Sequence, residues 1–342
     1  MKKMLSLTLA LLLCLTGLTT ALAEEPIVVK MGILDGWTGF PVKYVVDNGL
    51  DVAGGIKIEY LTFSSGAPAN EAMISGDIDC AIIGGGATVP ALANLNSKLI
   101  METNNDTIGM SLIARPDLDC AKVEGAVEGL EIRGSADTVK GLKILTTAGT
   151  LQYFATVKYL EALGLTVDDA NLISMDANQA YQAFQLGEAD VLTCSNNFSF
   201  DLVKEGNVEL ASLTSLNCAA TAQIVCSNAA YNDPQKYEGL VRLCKIMATT
   251  YDTLNADTDV ATEAYVNWVH LNGGSITEGT ARTIMEQKPY FGVEATKERE
   301  LGADFLNNFV GFYIMTEQIE PEQKADIEAN VKVDILQAAG LK

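Results

Sequence analysis

Apolar residues along this chain follow two patterns, short runs of strand length and longer stretches with helical spacing. Residues 29–52, VKMGILDGWTGFPVKYVVDNGLDV, and residues 142–167, LKILTTAGTLQYFATVKYLEALGLTV, share one order of features. Each has a lysine-led strand, a Gly/Thr turn with aromatic residues, a helix containing V-K-Y, and a Gly-Leu stop. Gly49 and Gly164 stand where glycine commonly ends a helix. The pattern therefore indicates an internal repeat.

The repeat continues into the segments that follow. Residues 56–86 give a strand, a small polar turn, a helix, a G-D-I-D turn and another strand, and residues 171–197 keep that order with a G-E-A-D turn. Strands that alternate with single helices of this length indicate βαβ units and parallel sheets. The sequence thus predicts two α/β lobes of similar plan. Asp79 and Asp190 are expected in helix-to-strand turns and outside any cleft.

From Asp233 onward the pattern is helical only. An Asp-Pro pair precedes the first of these helices, and proline suits the first helical turn. Aromatic and methionine residues recur there at helical spacing, which predicts core positions rather than a site. These residues are Tyr251, Trp268, Met285, Phe305, Phe309 and Phe312.

The first 23 residues have the features of a secretory signal peptide. Lys2 and Lys3 precede an apolar stretch from Leu5 to Leu18, and an A-L-A cleavage site ends at Ala23. We expect cleavage there and a secreted protein, in the periplasm or on the outer face of the cell membrane. An uncleaved anchor is disfavoured by the Ser and Thr residues within the stretch. A lipid anchor on Cys14 is disfavoured because bulky Leu13 precedes it.

The length of the chain indicates how many lobes it has, and its net charge limits the partners that it could bind. Cleavage leaves 319 of the 342 residues, which exceeds one typical domain and favours two lobes. The formal net charge of −21 becomes −23 once Lys2 and Lys3 are lost. Such an acidic surface repels nucleic acids and anionic membranes. No further long apolar run follows the leader, so we expect a soluble mature protein that binds no nucleic acid.

Cysteine and histidine usage argues against a metal site or cofactor. The mature chain has six cysteines, none in C-x-x-C spacing, and His270 is the one histidine. Export permits disulfides, and Cys218 with Cys226 is the nearest pair in sequence. Cys80 and Cys194 end apolar strands and are predicted to be buried thiols. No bridge is assigned.

Ligands of open α/β sheets bind outside the carboxyl ends of the strands, so two facing lobes would line a cleft with such turns. The candidate ligand-binding residues are Gly36, Trp37, Thr38, Ser64, Ser65, Gly85, Gly86 and Thr88 in lobe one, and Thr147, Gly149, Thr150, Leu151, Tyr153, Asp176, Asn178 and Asn196 in lobe two.

The turn at residues 146–150, TTAGT, has no charged side chain. The first N–H groups of a helix lack partners and carry partial positive charge, so this turn could hold an anionic oxygen without lysine or arginine. Residues 84–88 could bind an anionic oxygen in the same way from the other lobe. Trp37 and Tyr153 could supply flat apolar walls, and Asp176 could hold a ligand ammonium. Ordinary helix capping is the alternative role of each turn.

Residues 63–92, FSSGAPANEAMISGDIDCAIIGGGATVPAL, and residues 139–192 resemble the sulfonate, taurine and nitrate binding components of ABC importers. Binders of thiamine-pyrimidine precursors belong to the same wider group, and the resemblance spans about residues 27 to 255. It implies the type II periplasmic-binding-protein fold, with a ligand cleft between the two lobes, C-terminal helices that pack on lobe one, and chain crossings near residues 113–116 and 226–230. The implied division is a signal peptide at 1–23, lobe one at 24–115, lobe two at 116–228, and the lobe-one return with C-terminal helices at 229–342.

The resemblance also implies function. Lobe closure would trap a small molecule, and the closed monomer would dock on a membrane permease. Family ligand contacts map onto Trp37, Thr38, Ser65, Gly86, Thr88, Gly149, Thr150 and the Asn196 region. The chain departs from many relatives at C-S-N-N-F (residues 194–198), lacks the cysteine-rich motif of pyrimidine-synthesising relatives, and has an unusually glycine-rich run at 84–86.

Three functions are therefore weighed. The leading interpretation is a receptor for a small organic anion such as an alkanesulfonate or taurine. The alternative keeps the receptor but changes the ligand to an amino-acid-like or heterocyclic compound held by Asp176 and aromatics. An enzyme on the same fold is disfavoured, because Cys194 has no evident histidine partner and no catalytic cluster stands out.

Overall fold

The structure is a computed structural model that describes residues 25–195 and 197–342. The predicted signal peptide, Cys14 and Asn196 lie outside these residues. Within the described ranges, no helix combines the length and the apolar character that crossing a lipid bilayer requires.

In the part of the chain that the structure describes, ten strands form two five-stranded mixed sheets. The first sheet holds β1 (Ile27–Leu34), β2 (Ile56–Phe63), β3 (Cys80–Gly84), β4 (Lys98–Asn105) and β10 (Thr221–Cys226), in the order β2-β1-β3-β10-β4. The second holds β5 (Ser111–Ala114), β6 (Lys143–Thr146), β7 (Asn171–Ser174), β8 (Val191–Cys194) and β9 (Val208–Ser212), in the order β7-β6-β8-β5-β9.

The two sheets have one plan. In each, the strand in the second position is parallel to its neighbours on both sides, and the strand in the fourth position is antiparallel to both of its neighbours. That strand is β10 in the first sheet and β5 in the second. The predicted repeat of two α/β units is therefore confirmed.

The chain changes sheets earlier than the sequence predicts. It crosses to the second sheet between Asn105 and Ser111, and returns between Ser212 and Thr221. Residues 111–114 and 221–226 form buried strands that belong to the sheet entered after each crossing. The lobe limits at 24–115, 116–228 and 229–342 stay a prediction.

Helices connect the strands as the repeat requires. They are α1 (Phe40–Asp47), α2 (Leu50–Ala53), α3 (Gly66–Ser75), α4 (Gly85–Asn94), α5 (Ala136–Val139), α6 (Leu151–Ala162), α7 (Ala177–Gln185) and α8 (Asn197–Lys204), with 3₁₀ turns at Asp119–Lys122 and Val167–Asp169. Gly49 and Gly164 follow α1 and α6 with φ of 64° and 73°. Glycine reaches this left-handed conformation without strain, so both helices end as predicted.

The C-terminal block is helical, as predicted. It comprises α9 (Asn228–Asn232), α10 (Pro234–Ala256), α11 (Thr258–Leu271), α12 (Glu278–Gln287), α13 (Val293–Glu298), α14 (Ala303–Phe305), a π-helical turn (Leu306–Val310), α15 (Gly311–Met315), α16 (Gln323–Ala329) and α17 (Asp334–Ala338).

Three apolar clusters form the core of the described residues. One lies under the first sheet and α10 to α12, and a small one lies on the outer face of the second sheet. The third is continuous from the first sheet through α4 and α6 to the second sheet, and includes Phe305, Phe309 and Phe312. The predicted core aromatics of the C-terminal block are all buried. The two lobes thus share apolar packing in this conformation.

Candidate functional site

The glycine turns that open α4 and α6 meet each other. A Cβ atom built on Gly86 would lie 2.8 Å from the carbonyl oxygen of Gly149 and 3.0 Å from Cα of Thr150. Only a residue without a side chain allows this approach. The structure therefore brings together Gly86 of lobe one with Gly149 and Thr150 of lobe two, three of the residues that the sequence assigned to a common cleft.

The threonine hydroxyls of the lobe-two turn form hydrogen bonds within lobe two. Thr150 Oγ1 donates to the Thr147 carbonyl at 2.6 Å, and Thr147 Oγ1 donates to the Met175 carbonyl at 2.9 Å. Helix α6 then begins at Leu151 with no side-chain cap on its first N–H groups. The donors left for a ligand are thus backbone N–H groups at a helix start, where the dipole favours negative charge.

Side chains from other elements of the protein contact the lobe-one turn. Thr88 Oγ1 donates to Gln223 Oε1 at 2.8 Å, so its proton is already engaged. Tyr313 donates its hydroxyl proton to the Gly86 carbonyl at 2.6 Å. A Cβ on Gly85 would lie 2.9 Å from the ring of Phe309. The glycines of this run therefore admit neighbouring protein groups closely.

Trp37 packs in the lobe-one core. Its side chain is 1% exposed and stacks on Tyr290 with ring centroids 4.2 Å apart. The Tyr290 hydroxyl donates to the Trp37 carbonyl at 2.7 Å, and Trp268 Nε1 donates to the Gly36 carbonyl at 3.1 Å. The turn that holds Gly36, Trp37 and the buried Thr38 is therefore rigidly placed, and the Trp37 ring is covered in this conformation.

A buried lysine adjoins this turn and was missed by the sequence analysis. Lys288 is 1% exposed, and its Nζ lies 5.5 Å from the Trp37 ring centroid and 3.3 Å from Asp106 Oδ1. Burial lowers the pKa of Lys288, whereas the charge of Asp106 opposes that fall. No local pattern could have identified Lys288, because it reaches the turn from the end of α12, some 250 residues away.

Two carboxylates approach one another from opposite lobes. Asp176 begins α7 and accepts a hydrogen bond from the Asn178 N–H at 3.0 Å. Asp35 follows β1 and is half-buried. Burial raises the pKa of Asp35, and the negative charge of Asp176 raises it further. Asp35 was missed, although its place directly after a strand could have marked it.

The remaining candidates surround these turns. Ser65 begins α3 without a side-chain cap bond, and Ser64 is exposed beside it. Leu151 is buried, Asn178 is exposed, and the Tyr153 ring lies 6.3 Å from that of Phe312. Their contact with a ligand stays a prediction, as it does for the whole candidate set.

The site has no evident catalytic machinery in the described part of the chain. Cys194 is fully buried, and that burial raises the pKa of its thiol far above the usual range, which suppresses the reactive thiolate. The six described cysteines are free thiols. Across residues 25–195 and 197–342, no group of three or more His, Cys, Asp or Glu side chains is arranged to hold a metal ion.

Two sheets of one plan, with opposed turns at the carboxyl ends of their strands, form the periplasmic-binding-protein fold. The chain belongs to the NMT1-like family, whose model matches residues 22–258. This confirms the resemblance drawn from the motifs. Fold and family together make the chain a substrate-binding protein and not an enzyme.

Individual relatives agree with this assignment. A Brachyspira hyodysenteriae protein described as an ABC transporter periplasmic binding protein is 27% identical over 309 residues, covering 90% of this chain and 88% of the relative. The alkanesulfonate-binding protein SsuA from Xanthomonas axonopodis, solved with MOPS bound, superposes with a TM-score of 0.69 at 13% identity, covering 91% and 99% of the two chains. The nitrate-binding protein NrtA from Synechocystis PCC 6803 gives 0.70 at 12%, covering 92% and 89%.

Proposed function

We propose that this protein is the extracytoplasmic receptor of an ABC importer and captures a small organic anion such as an alkanesulfonate or taurine. The observation that carries the proposal is the uncapped start of α6, which follows the neutral turn of residues 147–150 and faces the glycine run of the other lobe. Backbone N–H groups there would bind anionic oxygens. The sulfonate and nitrate binders among the fold neighbours support the same ligand class.

Capture would proceed by lobe closure. A ligand held beside the contact between the turns after β3 and β6 would bind both lobes at once and favour the closed form over the open form. The closed monomer would then dock on a membrane permease, which releases the ligand by reopening the lobes. The predicted signal peptide would place the protein outside the cytoplasm, where such a receptor acts.

The carboxylates support a second candidate, a ligand with a cationic group. Asp35 and Asp176 repel one another across the lobes, and an ammonium group near them would relieve that repulsion. An amino-acid-like or amine-bearing heterocyclic ligand would satisfy this pair. Taurine, which carries a sulfonate and an ammonium, would satisfy both the pair and the helix start.

A thermal-shift screen of residues 24–342 tests these candidates. The panel pairs taurine with ethanesulfonate, which lacks the ammonium, and adds nitrate, amino acids and pyrimidines. A ligand at ~100 times its Kd adds ~2.7 kcal/mol to the free energy of unfolding, which raises Tm by several degrees.

The pattern of hits decides between the candidates. Stabilisation by ethanesulfonate and taurine alike supports the anion receptor, whereas taurine alone indicates that the carboxylates are used. Stabilisation only by amines without an acidic group would contradict the anion proposal. If neither the sulfonates nor nitrate raise the Tm, that result would also contradict the anion proposal.

A further inference from the structure

A C-terminal segment bridges the two lobes at one side of the cleft. The bridging segment consists of the π-helical turn Leu306–Val310 and α15, Gly311–Met315. The resemblance places this segment among C-terminal helices that pack on lobe one. Its rings instead belong to the apolar cluster that runs from the first sheet to the second.

The bridging segment is tied to lobe one at the glycine run. The Tyr313 hydroxyl donates to the Gly86 carbonyl at 2.6 Å, and burial raises the pKa of Tyr313 to about 12, so this proton stays in place at neutral pH. The Phe309 ring lies against Gly85, where a Cβ would be only 2.9 Å away. These contacts combine a buried hydrogen bond with close packing on backbone, which is a fixed attachment.

The contact with lobe two is made by aromatic rings on α6. Phe154 stacks on Phe309 with centroids 4.6 Å apart and meets Phe312 edge-on at 5.0 Å. Lys158 Nζ lies 5.8 Å from the ring centroids of both Phe154 and Phe312. Stacked and edge-on rings attract one another without a fixed bonding register, so this contact can separate more readily than the lobe-one attachment.

These two attachments act on the turns that face each other. Phe154 lies one helical turn after Thr150, and Phe309 and Tyr313 hold Gly85 and Gly86. We propose that the bridging segment is a latch, fixed to lobe one, that grips Phe154 of lobe two and holds the lobes closed. Opening would pull Phe154 from Phe309 and Phe312 and expose these rings to water, which opposes opening even when no ligand is present.

This inference rests on the lobe-closure part of the proposed function and is tested without ligand. Small-angle X-ray scattering of the ligand-free protein, residues 24–342, measures the separation of the lobes. The wild type should have a radius of gyration of about 20 Å, as a compact chain of this length does. Phe312→Ala should raise it by about 1 Å through lobe opening.

Phe184→Ala is the matched control. Phe184 is an equally buried phenylalanine, but it lies in the small cluster on the outer face of the second sheet, away from the bridging segment. It should leave the radius unchanged. Amide hydrogen exchange gives a local readout, since residues 84–88 and 147–151 should exchange faster in Phe312→Ala and not in Phe184→Ala.

Three results would overturn the latch. They are a wild type already expanded without ligand, an unchanged radius and exchange in Phe312→Ala, and equal expansion in the control. If Phe312→Ala does not fold by circular dichroism, Phe312→Leu removes the ring and keeps most of its volume. Failure of every ligand in the thermal-shift panel would leave these scattering results standing.

Discussion

The turns that open α4 and α6 are repeats of one another, yet their surroundings differ. In lobe one, Gln223, Phe309 and Tyr313 all contact residues 84–88. In lobe two, Thr147 and Thr150 hydrogen bond within their own lobe, and Gly149 is exposed. The comparison indicates a division of roles, in which the lobe-one turn is a wall supported by other elements and the lobe-two turn is the less supported side, although α4 and α6 both begin without a side-chain cap.

The largest effect should come from removing the support behind the lobe-one turn. Phe309→Ala deletes a ring packed between Gly85 and Phe154, and should lower the free energy of unfolding by ~3–5 kcal/mol. Urea unfolding measures this loss. Met315→Ala changes an exposed side chain of the same segment and should stay within ~0.5 kcal/mol of wild type. Similar losses in both variants would refute the supported-wall interpretation.

Gly86→Ala tests the contact between the two turns. The new methyl would overlap the backbone of Gly149 and Thr150, so the closed form should lose ~1–3 kcal/mol. Calorimetric Tm and the affinity for any ligand found in the screen measure this loss.

Gly84→Ala is the control for that substitution, since nothing lies within 4 Å of a Cβ at Gly84 and its backbone is extended. It should behave as wild type. If both alanine variants match wild type, the two turns do not meet in solution.

Removing one hydroxyl group from each turn should give a smaller difference in stability between the two turns. Thr88→Val leaves the buried side-chain oxygen of Gln223, Oε1, without its hydrogen-bond donor, which should lower the free energy of unfolding by ~1–2 kcal/mol. Thr150→Val removes a bond in a partly exposed turn, where water can replace the donor, and should cost less. Chemical unfolding of both variants tests the order, with Thr88→Ser expected to restore stability. A greater loss in Thr150→Val would reverse the division of roles.

The smallest effect should be the pH dependence of the carboxylate pair. The pKa of Asp35 is raised in the folded protein, so Asp35 stabilises the fold below its usual pKa near 3.8 and that stabilisation is lost as pH rises. Asp176→Asn removes the like charge and keeps a residue suited to cap α7. The variant should therefore be slightly more stable than wild type at pH 7.

Below the usual aspartate pKa of 3.8, where the carboxyl of Asp35 is protonated in the folded protein, that gain should vanish. Tm measured from pH 3 to 7 checks the trend. A stability difference that does not change with pH would show that the two carboxylates do not interact.

Local patterns predicted the strands, the helices and the opposed turns, because each depends on neighbours within one repeat. Gly86, Gly149 and Thr150 do meet, as expected from equivalent positions at the carboxyl ends of the strands. Apart from Asp35, the contacts that sequence reasoning missed come from residues far along the chain. Gln223 reaches Thr88 across 135 positions, and Phe309 belongs to a helix whose spacing predicts core but not which lobe it contacts.

The antiparallel strand in the fourth position of each sheet sets the order in which the lobes can be completed. Every strand of the second sheet lies between residues 111 and 212, so that sheet can form once this stretch of chain is available. The first sheet cannot form at that stage, because β10 lies between β3 and β4 and is the last of the described strands to be synthesised. As the chain emerges from the ribosome, the second sheet can therefore form first, and β4 has no strand partner until residues 221–226 are available.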